Sequence, residues 1–282
     1  MDAVRITDEL LLQKLKHIKN DAHKGTNGFL DVVCGSVCYR GAADLAVSGA
    51  LRSGVGIVRL ISDEKVISAV AARHPSCTFL PVTGATERRN AIYSSSTKCF
   101  LIGCGLGLSA QTCADVSDVL YTAKKAVIDA DGLNAVSANP ILKEKLRGFT
   151  VTPHVGELSR LTGASVEDIK KDICAYAADF SAKYGCVTVL KDHVTAVASP
   201  DGSVYFSDCA SEGLSKGGSG DVLAGLIAGF TAQDYSQTDA AILGVALHAR
   251  ASKLLAAEKG IISMLPSELE GYVARIICDL GF

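Results

Sequence analysis

The sequence contains no run of about eighteen apolar residues, although 48% of its 282 positions are hydrophobic and its mean hydropathy is +0.27, so no membrane-spanning helix is expected. The first residues, M-D-A-V-R-I-T-D-E-L, carry acids and lack the apolar core of a secretory leader, which makes a soluble cytoplasmic protein the expectation. There is no C-x-x-C, and Cys34 and Cys38 have no nearby pair of His or Cys to complete a zinc site. The ten cysteines are scattered over a chain far larger than disulfide-stapled secreted scaffolds. Most of them, such as Cys99, Cys186 and Cys278, lie in apolar surroundings and read as reduced, buried thiols. Positive charge is not in surplus either: the net charge of −2 excludes the concentrated Lys and Arg that a nucleic-acid backbone demands, leaving small molecules as partners. No linker, repeat, low-complexity stretch or charge block divides the chain, so residues 1–282 are expected to form one domain.

What is present is a repeated alternation of short apolar runs and helical patterns. A helix over 6–20 leads through a polar link into the run F-L-D-V-V-C-G, a small-residue helix ending near Gly54, and the run G-I-V-R-L-I-S. Helices near 64–73 and 86–95 flank C-T-F-L-P-V, and C-F-L-I-G and A-V-I-D-A-D follow as strands. A helix over 166–184 precedes three short strands at C-V-T-V-L-K, V-T-A-V-A-S and S-V-Y-F-S, and helices over 238–257 and 266–278 close the chain. This pattern predicts an α/β three-layer sandwich, with a mostly parallel sheet covered on both faces and an antiparallel patch near 186–207.

In such sheets ligands bind beyond the carboxyl ends of the strands, and the loops at 36–42, 103–109, 129–134, 152–157 and 213–221 all fall on that edge. The densest signal is S-K-G-G-S-G-D-V-L-A-G-L-I-A-G-F, residues 215–230. Gly217, Gly218 and Gly220, with Ser219, form a turn that opens a buried helix, so its N–H groups stand at a positive helix end with Asp221 at the mouth. A phosphate on the turn and proton acceptance by Asp221 are one reading; a Gly-rich turn with a helix-stabilising acid is the other. G-C-G-L-G-L-S resembles a dinucleotide fingerprint, but Leu108 occupies the third glycine position, and what remains is a flexible loop after a strand. Asp129 and Asp131, two residues apart on a strand, are expected to point the same way. Glu157 and His154 lie at the start of a helix, where a capping role competes with a chemical one.

Taken together, Y-R-G-A, G-C-G-L-G, D-A-D-G-L-N, T-P-H-V-G-E, V-L-K and G-G-S-G-D-V-L-A-G occur in the order found in the NAD(P)H-hydrate dehydratases, and the chain resembles that family of the ribokinase-like superfamily from about Lys24 to about Ala257. The resemblance implies conversion of the S form of hydrated NADH or NADPH to the intact cofactor, coupled to ADP or ATP hydrolysis with Mg2+. It implies that Ala42, Gly105, Gly107, His154 and Asp221 lie against the hydrated dinucleotide, and that Lys191, Asp192, His193, Val194, Thr195 and Gly220 hold the adenine nucleotide. Asp221 would be the catalytic base, the turn Gly217–Gly220 the anion hole, and Asp129, Asn134 and Glu157 would hold magnesium through water.

Three positions depart from the family's pattern. Lys216 precedes the glycines where a small or hydroxyl residue is expected, Ser219 replaces Thr, and Asp192 follows Lys191 where Gly is usual. A Lys beside an anion hole favours phosphate, whereas a Gly after Lys191 offers dihedral freedom that Asp lacks. A small-molecule kinase of the same superfamily is the competing expectation, with the phosphate retained on its product. The first strand begins near Phe29, so no epimerase domain is expected ahead of it, and a homo-oligomer is expected from the family.

Overall fold

The structure is a computed structural model that describes residues 3–18 and 22–282. The strands are β1 (Val4–Arg5), β2 (Phe29–Val33), β3 (Ile57–Ser62), β4 (Thr78–Pro81), β5 (Cys99–Ile102), β6 (Lys125–Ile128), β7 (Thr150–Val151), β8 (Val187–Leu190), β9 (Thr195–Ala198) and β10 (Val204–Ser207). They form one sheet in the order β1-β10-β9-β8-β7-β6-β5-β2-β3-β4. From β4 across to β8 the pairing is parallel, while β8–β9 and β9–β10 are antiparallel. Apolar runs rather than alternation mark β2, β5 and β6 because helices cover both sheet faces and bury these strands on each side.

The two covering layers form separate cores. One gathers residues of Arg40–Arg52, Ser219–Ala232, Gln237–Lys259 and Leu269–Asp279 against the sheet. The other gathers Ala110–Thr122, Asp131–Ala138, Val155–Thr162 and Ile173–Tyr184. The 23-residue helix Gln237–Lys259 is by length and composition apolar enough to cross a bilayer, but it lies in the first of these cores, with Ile242, Leu243 and Leu247 fully buried.

Several boundaries differ from the sequence expectation. The first helix is only Asp8–Lys14; Leu15 is already extended, and residues 19 and 20 of the expected helix lie outside the described residues. The expected helix 166–184 is two helices, Val166–Lys171 and Ile173–Tyr184, because Asp172 leaves helical geometry and its carboxylate accepts from Ala175 N to cap the second. β1 was not anticipated; two residues carry no period, and pairing with β10 alone makes them a strand.

The small-residue helix Arg40–Arg52 has its partner inside the chain. A Cβ on Gly49 would stand 2.2 Å from the Val222 carbonyl oxygen, and one on Gly225 would stand 2.1 Å from that of Ala46, so this helix and Ser219–Ala232 touch backbone to backbone. That contact fixes where the glycine-rich turn points. Gly225→Ala should gain roughly 1 kcal/mol of helix propensity, but the clash outweighs it and a net loss of about 2 kcal/mol is expected in urea denaturation. A variant as stable as the parent would show that the helices are not in backbone contact.

Candidate functional site

The loops leaving β2, β5, β6, β7 and β8 meet the glycine turn at one edge of the sheet, because parallel strands deliver their carboxyl ends to the same side. Gly35 N donates to Cys104 O (2.8 Å), tying the β2 loop to the β5 loop. Ala42 lies against Gly105, where an added Cβ would stand 2.6 Å from the Ala42 methyl. His154 and Lys191 form a parallel bridge, with Lys191 N donating to Pro153 O (2.8 Å). Ala42 and Gly105 are thus adjacent at one part of the rim, and His154 and Lys191 at another.

Gly218 adopts φ +102, ψ −17 and is the N-cap of Ser219–Ala232, with no side chain capping the helix. A left-handed residue is needed to swing the chain into this helix, which is why glycine stands there. The uncapped first turn leaves N–H groups for an anion. Ser219 keeps a hydroxyl role, donating to Lys216 O at 2.9 Å. The Lys216 ammonium does not face the open end of the helix: it donates to the carbonyls of Ile262 and Met264, so it fastens the turn to the loop after Gln237–Lys259.

Behind the turn lies a cluster of acids and one cation. Ligand atoms of Cys104, Asp129 and Asp221 lie within 4.8 Å of one another. Asp129, only 1% exposed, accepts from Lys191 Nζ (2.7 Å) and Thr152 Oγ1 (2.7 Å) on Oδ1, and its Oδ2 faces the Cys104 thiol at 3.7 Å. Burial works against the Lys191 ammonium, but Asp129 and Glu157 beside it outweigh burial and hold its pKa above the usual lysine value. Burial, reinforced by Asp129, pushes the Asp221 carboxyl up to about 7, with Cys104 and Lys191 opposing the rise. A contact with the Cys34 thiol and burial raise Cys104 well above the ordinary thiol value and keep it neutral. The result is a carboxyl poised to take up or release a proton near neutrality, beside a turn able to hold an anion.

The two acids of D-A-D take different partners, although the charge of each reaches Asp221. β6 ends at Ile128, Ala130 takes φ +47 and ψ −116, and Asp131 begins the next helix. Asp129 consequently turns inward to Lys191, while Asp131 Oδ2 accepts from Gly107 N (2.7 Å) and shapes the β5 loop. A backbone this far from the usual regions is held where surrounding structure imposes it, and such sites cluster at functional centres. Asn134 accepts from Arg160 Nε (3.1 Å) and donates to Asp131 Oδ1 (3.3 Å). Glu157 accepts from His154 N (2.8 Å) in a capping box, and burial raises its pKa. His154 Nδ1 accepts from Gly156 N (3.0 Å), and burial, then Lys191 and Arg160, lower the ring's pKa. The carboxylate oxygens of Asp129 and Asp221 suit a hard cation such as magnesium, whereas the Cys104 thiol beside them does not.

Lys191 to Val194 form the turn between β8 and β9, and Thr195 opens β9, in register Leu190↔Ala196. Asp192 fits this turn without left-handed geometry, since among the described residues the positive-φ residues other than glycine are Lys98, Ala130 and Asp234. The dihedral freedom of glycine is therefore not required there. Its buried Oδ2 has no hydrogen-bond partner and stands 3.5 Å from His193 Nδ1 and 3.9 Å from Lys170 Nζ.

Three residues at the site escaped sequence reasoning. Cys104 reads as one more apolar thiol, although its place between Gly103 and Gly105 after a strand was a signal. Thr152 opens T-P-H-V-G-E, and only the fold brings it to Asp129. Arg160 lies one helical turn beyond Gly156 and reaches Asn134 from another element.

A family model described as NAD(P)H-hydrate dehydratase matches residues 30–275. The chain is 35% identical over 251 residues to the ADP-dependent (S)-NAD(P)H-hydrate dehydratase of Neisseria meningitidis, covering 87% of this chain and 83% of that protein. It is 32% identical to the bifunctional NAD(P)H-hydrate repair enzyme Nnr of Escherichia coli, covering 97% of this chain but 52% of that protein, so it spans about half of that relative's length. Among solved structures, an ADP/ATP-dependent NAD(P)H-hydrate dehydratase from Bacillus subtilis co-crystallised with ATP/Mg2+ superposes with a TM-score of 0.89 at 28% identity over 99% of each chain.

The raised pKa of Asp221 links its proton to folding. Between the unfolded value of 3.8 and the folded value of about 7, the folded state holds a proton that the unfolded state has lost, so this group's contribution to stability falls as pH rises through that window. Asp221→Asn should therefore raise Tm relative to the parent at pH 8, with the gain shrinking toward pH 4, as thermal melts across that range will show. Parallel Tm curves for the two proteins would remove Asp221 as a buried, proton-holding carboxyl.

Proposed function

The chain belongs to the NAD(P)H-hydrate dehydratase family of the ribokinase-like superfamily, whose general function is nicotinamide-cofactor repair, and from that premise we propose that it dehydrates the S form of hydrated NADH or NADPH at the expense of ADP or ATP. The observation that carries the reading is Asp221: a carboxyl with a pKa of about 7, in the first turn of a helix entered through an uncapped glycine turn.

Hydroxide is a poor leaving group, and phosphorylation makes its departure feasible. In the proposed sequence Asp221 accepts the proton of the ring hydroxyl as that oxygen attacks the terminal phosphorus, and the bond from phosphorus to the nucleotide breaks. The uncapped turn Gly217–Gly220 carries the charge that develops on the transferring group, and Lys191 adds a fixed cation nearby. The carbon–oxygen bond then breaks with its electron pair leaving on phosphate, the adjacent carbon loses a proton, and the ring double bond returns. The chain's own work is placement and proton acceptance, since phosphoryl transfer needs in-line geometry more than a protein nucleophile.

Ala42, Gly105, Gly107 and His154 would line the hydrated ring and its dinucleotide, while Lys191, Asp192, His193, Val194, Thr195 and Gly220 would hold the adenine nucleotide. The closeness of Lys191 Nζ to Gly220, 3.3 Å from an added Cβ, supports a nucleotide site continuous with the anion turn. Of Asp129, Asn134 and Glu157, the Asn134 amide is engaged at both ends by Arg160 and Asp131, so Asp129 and Glu157 are the two that would hold a magnesium ion through water, where it neutralises phosphate charge. We further propose a cytoplasmic homo-oligomer; ten unpaired thiols suit a reducing compartment.

Incubating the protein with hydrated NADH and ADP or ATP should release free phosphate together with the absorbance of the reduced nicotinamide. Phosphate retained on a small alcohol, with no absorbance recovery, would establish the kinase alternative instead. Asp221→Asn should lower kcat about 100-fold or more while nucleotide affinity stays near the parent value. The rate should rise with pH through a limb near 7, because the base must be ionised. Lys191→Met removes a cation that favours the ionised carboxyl and should displace that limb to higher pH; an unmoved limb would assign it to another group.

A further inference from the structure

A second recess opens beyond the β5 loop. Its volume is about 760 Å³, within the range of small-molecule sites, and it is lined by Leu108, Ser109, Thr112, Asn134, Ala138 and Arg160, among others. It borders the dinucleotide loop directly, since Leu108 follows Gly107, the residue Asp131 holds in place. Arg160 is the one charged side chain in its lining. The guanidinium is oriented by Asn134 through Nε and, although Glu157 feels its charge, forms no salt bridge among the described residues, so its remaining N–H groups can reach an anion. Leu108 is 74% exposed and adds an apolar surface to the lining.

We propose that this recess takes the adenosine end of the hydrated dinucleotide, and that Arg160 pairs with a phosphate on its 2′ position. The inference rests on the dehydratase reading, and geometry supports it from two sides. On that reading the nicotinamide ring lies at Asp221 and the ligand crosses Gly105 to Gly107, and Leu108, the next residue, lines the recess that the far end would enter. The adenine nucleotide is assigned to the β8–β9 turn, and in the sheet β6 and β7 stand between β8 and the β5 loop, so the two adenosines need not compete. Arginine presents a planar fork of donors that matches a phosphate, and a base can lie on Leu108 while its ribose faces the polar wall.

The test uses protein saturated with ADP, so that the co-substrate site is filled, and measures binding of adenosine 2′,5′-bisphosphate and of AMP by calorimetry. Arg160→Ala should weaken the bisphosphate about tenfold or more, the value of a lost hydrogen-bonded charge pair, and leave AMP within about twofold. Arg160→Lys should fall between. Ala138→Trp, at an exposed position in the wall, should weaken both ligands by filling the recess. Equal losses for both ligands in Arg160→Ala would assign Arg160 to the 5′-phosphate and overturn the proposal, as would unchanged binding in either variant. In turnover, Arg160→Ala should raise KM for hydrated NADPH and spare that for hydrated NADH. If neither hydrate turns over but the bisphosphate discrimination holds, the reaction is wrong and the site stands; if both turn over with equal KM changes, the reaction stands and the site assignment fails.

Discussion

The buried pair of Lys191 and Asp129 is the contact on which the site depends. It joins the end of β6 to the end of β8 at 2.7 Å and places a cation and an anion where burial alone would tolerate neither. Thr152, delivered by the intervening β7, completes the coordination of Asp129. Because Asp129 then stands near Asp221 as a fixed negative charge, the same pair that secures three strand ends also helps raise the proton affinity of the carboxyl at the glycine turn. Structure and proton chemistry are here one electrostatic arrangement.

A second constraint is steric. The helix that carries Asp221 lies directly on Arg40–Arg52 because Gly49 and Gly225 leave no side chain between them. Close approach fixes the helix along its length, and Gly218 turns the chain into it at an angle that leaves the first N–H groups free of a capping side chain. Lys216 then holds the entry turn against the carbonyls of Ile262 and Met264. The glycine turn is therefore rigid by packing on one side and by hydrogen bonds on the other, as an anion site needs if its dipoles are to be oriented before a ligand arrives.

The path of the chain between Asp129 and Asp131 shows how a short motif yields two functions. On a continuous strand both carboxylates would share a face. The left-handed turn at Ala130 separates them, so one meets the buried lysine and the other organises the Gly107 loop. Asn134 and Arg160 extend that second line outward to the recess beyond Leu108. Loops along the edge thus share one hydrogen-bonded rim.

Much of this was legible in the sequence for a local reason. Apolar runs closed by glycine mark buried parallel strands, helical spacing after G-G-S-G-D marks a helix opened by a glycine turn, and the order of strand and helix places those loops on one edge. The motifs in order also identified the family. Local pattern could not settle what depends on partners distant in the chain. Asp172 breaks a helix by capping its continuation, Lys216 finds carbonyls some fifty residues away, and β1 exists only by pairing with β10. Sequence determined which residue types stand at the strand ends, because periodicity and turn chemistry act over a few residues. Tertiary structure alone decided that Cys104, Asp129, Lys191 and Asp221 share one buried electrostatic environment, because a carboxyl's proton affinity depends on burial and on charges brought from elsewhere in the chain.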